Sequence, residues 1–211
     1  MSSRDGAVGV LLAAEPGRTP RADARRNMER LVEAARAAVA EIGVEVTAHE
    51  IARRAGVGIG TFYRRVSSRE ALLEAVLDEV LAEMADLAAD AAADPDPWHG
   101  FETFAAAYVR LRAESCGIRE AVGGACGPNL DPVLGQIQEG VRLLVERAQE
   151  AGVMRADVAW QDVPFLLAAV ATGPRTLRLR AGDEQWGRNL RIVLDGLRAP
   201  RSQALPGTPP A

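Results

Sequence analysis

The chain has 211 residues, 48% of them hydrophobic, enough for one compact core or for a small module joined to a larger one. All 25 of its basic residues are Arg and the net charge is -4, which argues against a protein that coats nucleic acid by bulk charge. Two cysteines do not make a secreted disulfide framework, so a reducing cytoplasm is the expected setting, and no apolar run approaches the roughly 20 residues of a membrane span.

In chain order, residues 1–20 read as a disordered tail rich in Gly, Pro, Ser and Thr, and 200–211 as a second one. The apolar run 7–14 faintly resembles a signal peptide, but Asp5 before it and Glu15-Pro16 after it argue otherwise. Everything between the tails reads as helix: Ala, Leu, Arg and Glu recur at three- and four-residue spacing and alternating apolar patterns are absent. The expectation is an all-α protein of about nine helices with no strand. A helix is expected over 22–42, its stripe of Met28, Leu31, Val32, Ala35 and Val39 ending at Gly43. Two short helices and a longer one over 68–93 follow, up to the break at Asp94-Pro95-Asp96-Pro97. Asp96 before Pro97 is a cap followed by a first-turn proline and opens a helix over 97–113. One short, weak helix is expected in the glycine-rich segment 117–128. Asp131-Pro132 repeats the cap signal for a helix over 131–151. A helix from Asp162 is expected to run through Gly173-Pro174 with a kink to Leu179, and a last one carries Trp186, Leu190, Val193, Leu194 and Leu197.

Charge is uneven along this order. Residues 18–70 hold eleven Arg against seven Asp and Glu, a net +4, so with -4 overall the remainder carries -8. A basic N-terminal module on an acidic body suggests that one end meets a polyanion.

The most informative stretch is 47–73. Thr47 with Glu50 three residues on reads as a capping box that starts a helix at Ala48. Ile51, Ala52 and Ala55 give that helix a narrow apolar face, and Gly56 permits the positive backbone angle of a sharp turn. A small residue such as Ala52 suits the close crossing of two helices in a helix-turn-helix. Val57 and Phe62 are expected to pack inward, which leaves Gly58, Ile59, Gly60, Thr61, Tyr63, Arg64 and Arg65 on the outer side of a short second helix. Short side chains at its start allow close approach to a groove, while Thr61 and Tyr63 offer hydroxyls to phosphates or base edges. Ser67 with Glu70 reads as a second capping box, and Arg69 in the first turn is placed to pair with a phosphate.

Thr47, Ile51-Ala52, Ala55-Gly56-Val57, Gly60-Thr61-Phe62-Tyr63-Arg64 and Ser68-Arg69-Glu70-Ala71-Leu72 together resemble the signature of the TetR (tetracycline repressor) family. The resemblance is strong over 22–80 and elsewhere rests mainly on helical character and on the ending 186–198. It implies a helix-turn-helix DNA-binding domain over 21–67 and a larger helical ligand-binding and dimerisation domain over 68–199. The implied function is a transcriptional repressor that binds near-palindromic double-stranded operator DNA as a homodimer and is released by a small apolar or aromatic effector. Thr47, Thr61, Tyr63 and Arg69 would then contact DNA, joined by Ile59, Gly60, Arg64 and Arg65. Arg65 departs from the usual His of the signature and Val66 from the usual Phe.

For the effector, Trp98, Phe101, Phe104 and Tyr108, with Cys126 and Phe165, read either as plain core or as the wall of an apolar cavity. Val170, Trp186, Leu190, Val193 and Leu194 are the expected dimer face. Arg53, Arg54 and Arg64 read either as phosphate contacts or as solvated charges. His49, His99, Cys116 and Cys126 fit no metal-binding spacing, and no cofactor, nucleotide loop or catalytic constellation is expected. Two rivals stand beside this reading. One is a helix-turn-helix regulator without a small-molecule ligand, controlled by a protein partner or by oxidation of Cys116 and Cys126. The other is a helical interaction protein or an enzyme that retains the fold.

Overall fold

The computed structural model describes residues 4–13, 22–125, 128–170, 175–199 and 203–210. In chain order the helices are α1 (Arg4–Ala13), α2 (Ala22–Ile42), α3 (Ala48–Arg54), α4 (Ile59–Arg65), α5 (Arg69–Ala92), α6 (Pro97–Glu114), α7 (Cys116–Glu120), α8 (Asp131–Glu150), α9 (Asp162–Val170) and α10 (Gln185–Leu197). The all-α class is as expected. The chain divides into two compact units, one made of residues 1–83 and 115–134 and the other of 84–114 and 135–211.

In the first unit α2 is the central pillar. Its stripe of Met28, Leu31, Ala35, Ala38 and Val39 is buried, and α1, α3, α4 and α7 pack on it. Gly43, at φ 101°, ends α2 in a left-handed conformation that a side chain would resist. The expectation of a disordered tail fails over 4–13. Ala7, Val8 and Leu11 fall on one face of a helical wheel and are buried where α1 lies on α2, so the apolar run is the buried face of a helix. The glycine-rich stretch yields more order than one weak helix: α7, a π-turn at Ala121–Ala125 and a 3-10 turn at Pro128–Leu130. Gly117 lies so close to Val39 that an added Cβ would collide with it.

In the second unit α6 packs against α9 and α10, burying Trp98, Phe101, Phe104, Ala105, Tyr108 and Val109. The proline break works as its sequence suggests: Asp96 caps α6, its carboxylate accepting from the Trp98 and His99 amides at 2.9 and 3.1 Å. Gly140 on α8 sits against Ala88 of α5, where an added Cβ would approach the alanine methyl to 2.6 Å. The kinked helix expected to reach Leu179 is not formed at 175–180. Residues 175–180 form a two-residue hairpin with Arg175 opposite Arg180 and Thr176 opposite Leu179, and the loop residues Leu177 and Arg178 both have positive φ. That pair of left-handed residues is the backbone signature of a tight hairpin, and it overrides the helical propensity of Leu and Arg.

The second expected tail also carries structure over 203–210. Arg155 donates to the Gln203 carbonyl at 2.8 Å and Asp157 accepts the Leu205 amide at 2.9 Å, which straps this segment to the body. The strap residues Leu205, Pro206 and Pro209 line an open apolar trough with Phe165 and Leu166 of α9 and Ile192 of α10. Among the described residues, no helix is long and apolar enough to cross a membrane.

Candidate nucleic-acid interface

The geometry of α3 and α4 follows from local rules. Thr47 has extended backbone (φ -83°, ψ 154°), and its hydroxyl accepts from the Glu50 amide at 3.2 Å, capping α3. Ile51 and Ala52 are buried, and Gly56 (φ 67°) turns the chain. The Val57 amide then donates to the Ala52 carbonyl at 3.0 Å, locking the turn to the end of α3. Phe62 is fully buried while Tyr63 beside it keeps 58% of its surface exposed, its ring meeting the Phe62 ring edge-on at 5.1 Å. Val66, the departure from the usual Phe, is buried and still serves as a core residue.

On the outer side of α4, Gly60 and Arg64 are exposed, while Ile59, Thr61 and Arg65 are half-buried. Arg64 donates to the Thr61 hydroxyl at 2.9 Å. A Cβ at Gly60 would meet nothing within 4 Å. Among the described residues, no internal neighbour therefore demands a glycine here. Next to this helix, Thr47, His49, Tyr63, Ser67 and Ser68 line a shallow groove of about 470 Å3, with Glu45, Arg69 and Glu70 also on its rim.

Several side chains differ from the sequence expectation. Glu50 does not reach back to complete a capping box. Its carboxylate accepts from Arg53 at 2.7 and 2.9 Å and from Arg54 at 2.7 Å, and these bonds hold it at a pKa of about 2. Arg54 also reaches Glu41 at 2.8 Å, so both arginines already have carboxylate partners. The second cap is Ser68, whose hydroxyl accepts from the Ala71 amide at 3.0 Å; Ser67 is one residue too early and lies exposed.

Arg69 departs most from its expected role as a phosphate contact. Its guanidinium donates inward to the Val44 and Val46 carbonyls and sideways to Glu70. The first two acceptors lie in the loop joining α2 to α3, immediately before Thr47, so Arg69 is spent on holding that loop. The same loop is gripped from a second side, where Glu120 of α7 accepts the Val44 amide at 2.7 Å. Sequence reasoning missed this grip entirely, because the two partners lie 76 positions apart and nothing local signals their contact.

The remaining expected residues fall as follows. Trp98, Phe101, Phe104 and Tyr108 are all buried along α6, while Cys126 lies outside the described residues. Phe165 is 66% exposed and points away from the unit's interior, so it cannot wall an internal cavity. Val170, Leu190 and Leu194 are buried within the protomer and hence unable to form a dimer face; Trp186 and Val193 are half-buried. The exposed apolar side chains on α9 and α10 are Phe165, Leu166 and Ile192. Cys116 is half-buried with Arg119 donating to its sulfur at 3.3 Å, and His99 pairs with Asp94 at 2.7 Å.

Comparison with known proteins bears on this arrangement. Residues 31–76 match the model for bacterial regulatory proteins of the tetR family, and residues 96–199 match the C-terminal domain of SbtR-like transcriptional regulators. A TetR transcriptional regulator from Streptomyces coelicolor is 30% identical over 81% of this chain and 97% of its own, with a TM-score of 0.58. The chain belongs to the TetR family of transcriptional regulators. A TetR regulatory protein from Mycobacterium vanbaalenii is 31% identical over 85% of this chain and 99% of its own, at a TM-score of 0.57. The Bacillus subtilis regulator FadR, in complex with stearoyl-CoA, shares the TetR fold at 14% identity, with a TM-score of 0.57 over 80% of this chain and 98% of its own. No curated protein matches the chain. As a TetR regulator the chain has its helix-turn-helix at Ala48–Arg65, in the part that matches the family's N-terminal model.

Proposed function

We propose that this TetR regulator is a repressor that binds near-palindromic operator DNA as a homodimer and lets go when a small molecule occupies its helical body. Residues 21–67 are the reading head and 68–199 the sensing and dimerising part. The observation that carries the reading is the split between two adjacent residues, Phe62 sealed in the core and Tyr63 outward, with the unconstrained Gly60 and the Thr61–Arg64 pair on the same helix. An exposed tyrosine with no internal hydrogen-bonding task, beside a helix start free of bulk, is what a groove-inserted helix requires. Thr47, Thr61, Tyr63, Arg64 and Arg65 are the DNA-contacting side chains, with Ile59 and Gly60 at the point of closest approach. Arg69 contributes by setting the loop before Thr47.

For dimerisation, the exposed Phe165, Leu166 and Ile192 are the surface a second copy covers, in place of the buried Val170, Leu190 and Leu194. Pairing would set two α4 helices about 34–36 Å apart, one turn of duplex. The effector meets Phe104 and Tyr108, with Trp98 and Phe101 supporting them from the core. That a protein of this fold holds stearoyl-CoA supports a ligand with a large apolar part.

Fluorescence anisotropy on a duplex selected from a random pool tests the first half. In Tyr63→Phe the ring and its packing stay and only the hydroxyl is lost. A bond from a hydroxyl to a charged acceptor contributes about 1.5 kcal/mol, so two copies in a dimer contribute about 3 kcal/mol, a loss of roughly a hundredfold in affinity. Binding within twofold of the parent protein would show that Tyr63 is not at the interface and would sink the reading.

A further inference from the structure

Arg112 stands apart from the other charged side chains among the described residues. It is only 8% exposed, its Nε is enclosed with no hydrogen-bond partner, and it makes no ion pair among the described residues. Glu79 is the other buried ionic side chain among the described residues, and it is matched by Arg36 at 2.6 Å. A buried guanidinium without a counter-charge is unfavourable even after relaxation, and arginine cannot shed its proton to escape that cost. Three features offset part of it. Arg112 lies in the last turn of α6, where helix carbonyls favour a cation, its guanidinium donates a hydrogen bond to the Tyr108 hydroxyl, and its guanidinium carbon sits 5.7 Å from the centre of the Tyr108 ring. None of them replaces an anion.

The surroundings specify the rest of the ligand. Arg112, Tyr108 and Phe104 recur every four residues and share one face of α6. The Phe104 and Tyr108 rings lie nearly parallel, 29° apart with centroids at 5.9 Å. Burial raises the pKa of the Tyr108 phenol against the pull of Arg112, so at neutral pH it remains a donor. The face therefore carries two flat apolar rings, one neutral hydroxyl and one planar cationic fork, all buried. A single guanidinium matches a single carboxylate in charge and shape. A phosphate dianion would need a second buried cation, and the described residues hold none.

We infer that Arg112 anchors the carboxylate of an effector whose aromatic or aliphatic body lies along Phe104 and Tyr108. The inference rests on the ligand-released reading above and narrows its effector from apolar molecules in general to apolar monocarboxylic acids.

Thermal unfolding of the full chain and of Arg112→Met tests it. Without ligand, Arg112→Met melts at or above the parent temperature, because methionine fills the space and removes the unmatched charge. A fall of more than about 4 °C would mean Arg112 is a structural tie and would overturn the inference. Octanoate, decanoate and phenylacetate are then compared with octanol, decanol and phenethyl alcohol. The acids raise the melting temperature of the parent by about 5–10 °C at a hundredfold excess over Kd, the alcohols do not, and Arg112→Met loses the response. No shift with any acid, equal shifts with acids and alcohols, or an undiminished response in Arg112→Met overturns the anchor and leaves release by some other ligand standing. An acid that binds through Arg112 while operator affinity stays constant has the opposite meaning: the anchor holds and the release reading fails.

Discussion

Replacing Arg69 with alanine separates two roles that both predict weaker DNA binding. The guanidinium donates to the Val44 and Val46 carbonyls and to Glu70. The Glu70 carboxylate is largely exposed, so that pair adds little. Each bond from a charged donor to a backbone carbonyl contributes about 1.5–3 kcal/mol where water is excluded. Arg69 is 24% exposed and the freed carbonyls can partly rehydrate, which brings the two bonds together to about 2–3 kcal/mol. For a chain of this length that lowers the melting temperature by about 5–10 °C. Operator affinity also falls, since Thr47 follows directly on the released loop, but its dependence on salt does not change. If Arg69 instead neutralised a phosphate, the slope of log K against log salt would drop by about one for each protomer. Differential scanning fluorimetry and anisotropy titrations at four salt concentrations read both quantities. An unchanged melting temperature together with a shallower salt slope would refute the clamp and restore the phosphate contact.

Three further outcomes follow from side chains already described. Ile192→Asp puts an unpaired carboxylate on the proposed dimer face in both copies, and should raise the dimer dissociation constant at least about a hundredfold in sedimentation velocity; an unaltered dimer would place the interface elsewhere. Gly60→Ala adds a methyl into open space on a helix, so stability should hold or rise by about 0.5–1 kcal/mol while operator affinity falls, and undiminished affinity would show that nothing approaches that point closely. Glu50 is held at about 2, below its ordinary 4.5, by its bonds to Arg53 and then Arg54. The pairing therefore stabilises the fold fully above pH 4.5 and is lost as pH falls towards 2, and an NMR titration placing the Glu50 carboxyl near its ordinary value would contradict the observed geometry.

What was legible in the sequence obeys short-range rules. The limits of α2, the Thr47 cap, the turn at Gly56 and the opposite orientations of Phe62 and Tyr63 each depend on residues within a turn or two of one another. Arg69 was misplaced because its acceptors lie 23 and 25 residues earlier, and from its neighbours alone an arginine in a first helical turn looks like a phosphate ligand. The burial of Val170, Leu190 and Leu194, three of the five residues expected on the dimer face, went unforeseen for a different reason. On α10 the strongest apolar stripe, Leu190, Leu194 and Leu197, is consumed by the protomer's own packing on α6 and α9, and the weaker stripe with Ile192 is left outward. A helical wheel ranks stripes by hydrophobicity and cannot say which one its own chain covers. The same limit applies to α1, where an apolar run in a polar, glycine-containing context gave no sign that α2 offered a matching face.

The hold of Glu120 on the Val44 amide means that the DNA-reading head is not a portable cassette. Its entry loop is finished by a residue delivered long after the two recognition helices have been made, and α7 packs directly on the pillar that carries them. A fragment that stops before residue 115 would leave the ribosome with that loop held on one side only. Domain-swap chimeras that graft the head onto another body need to carry 115–125 with it, or the borrowed head arrives missing a stay.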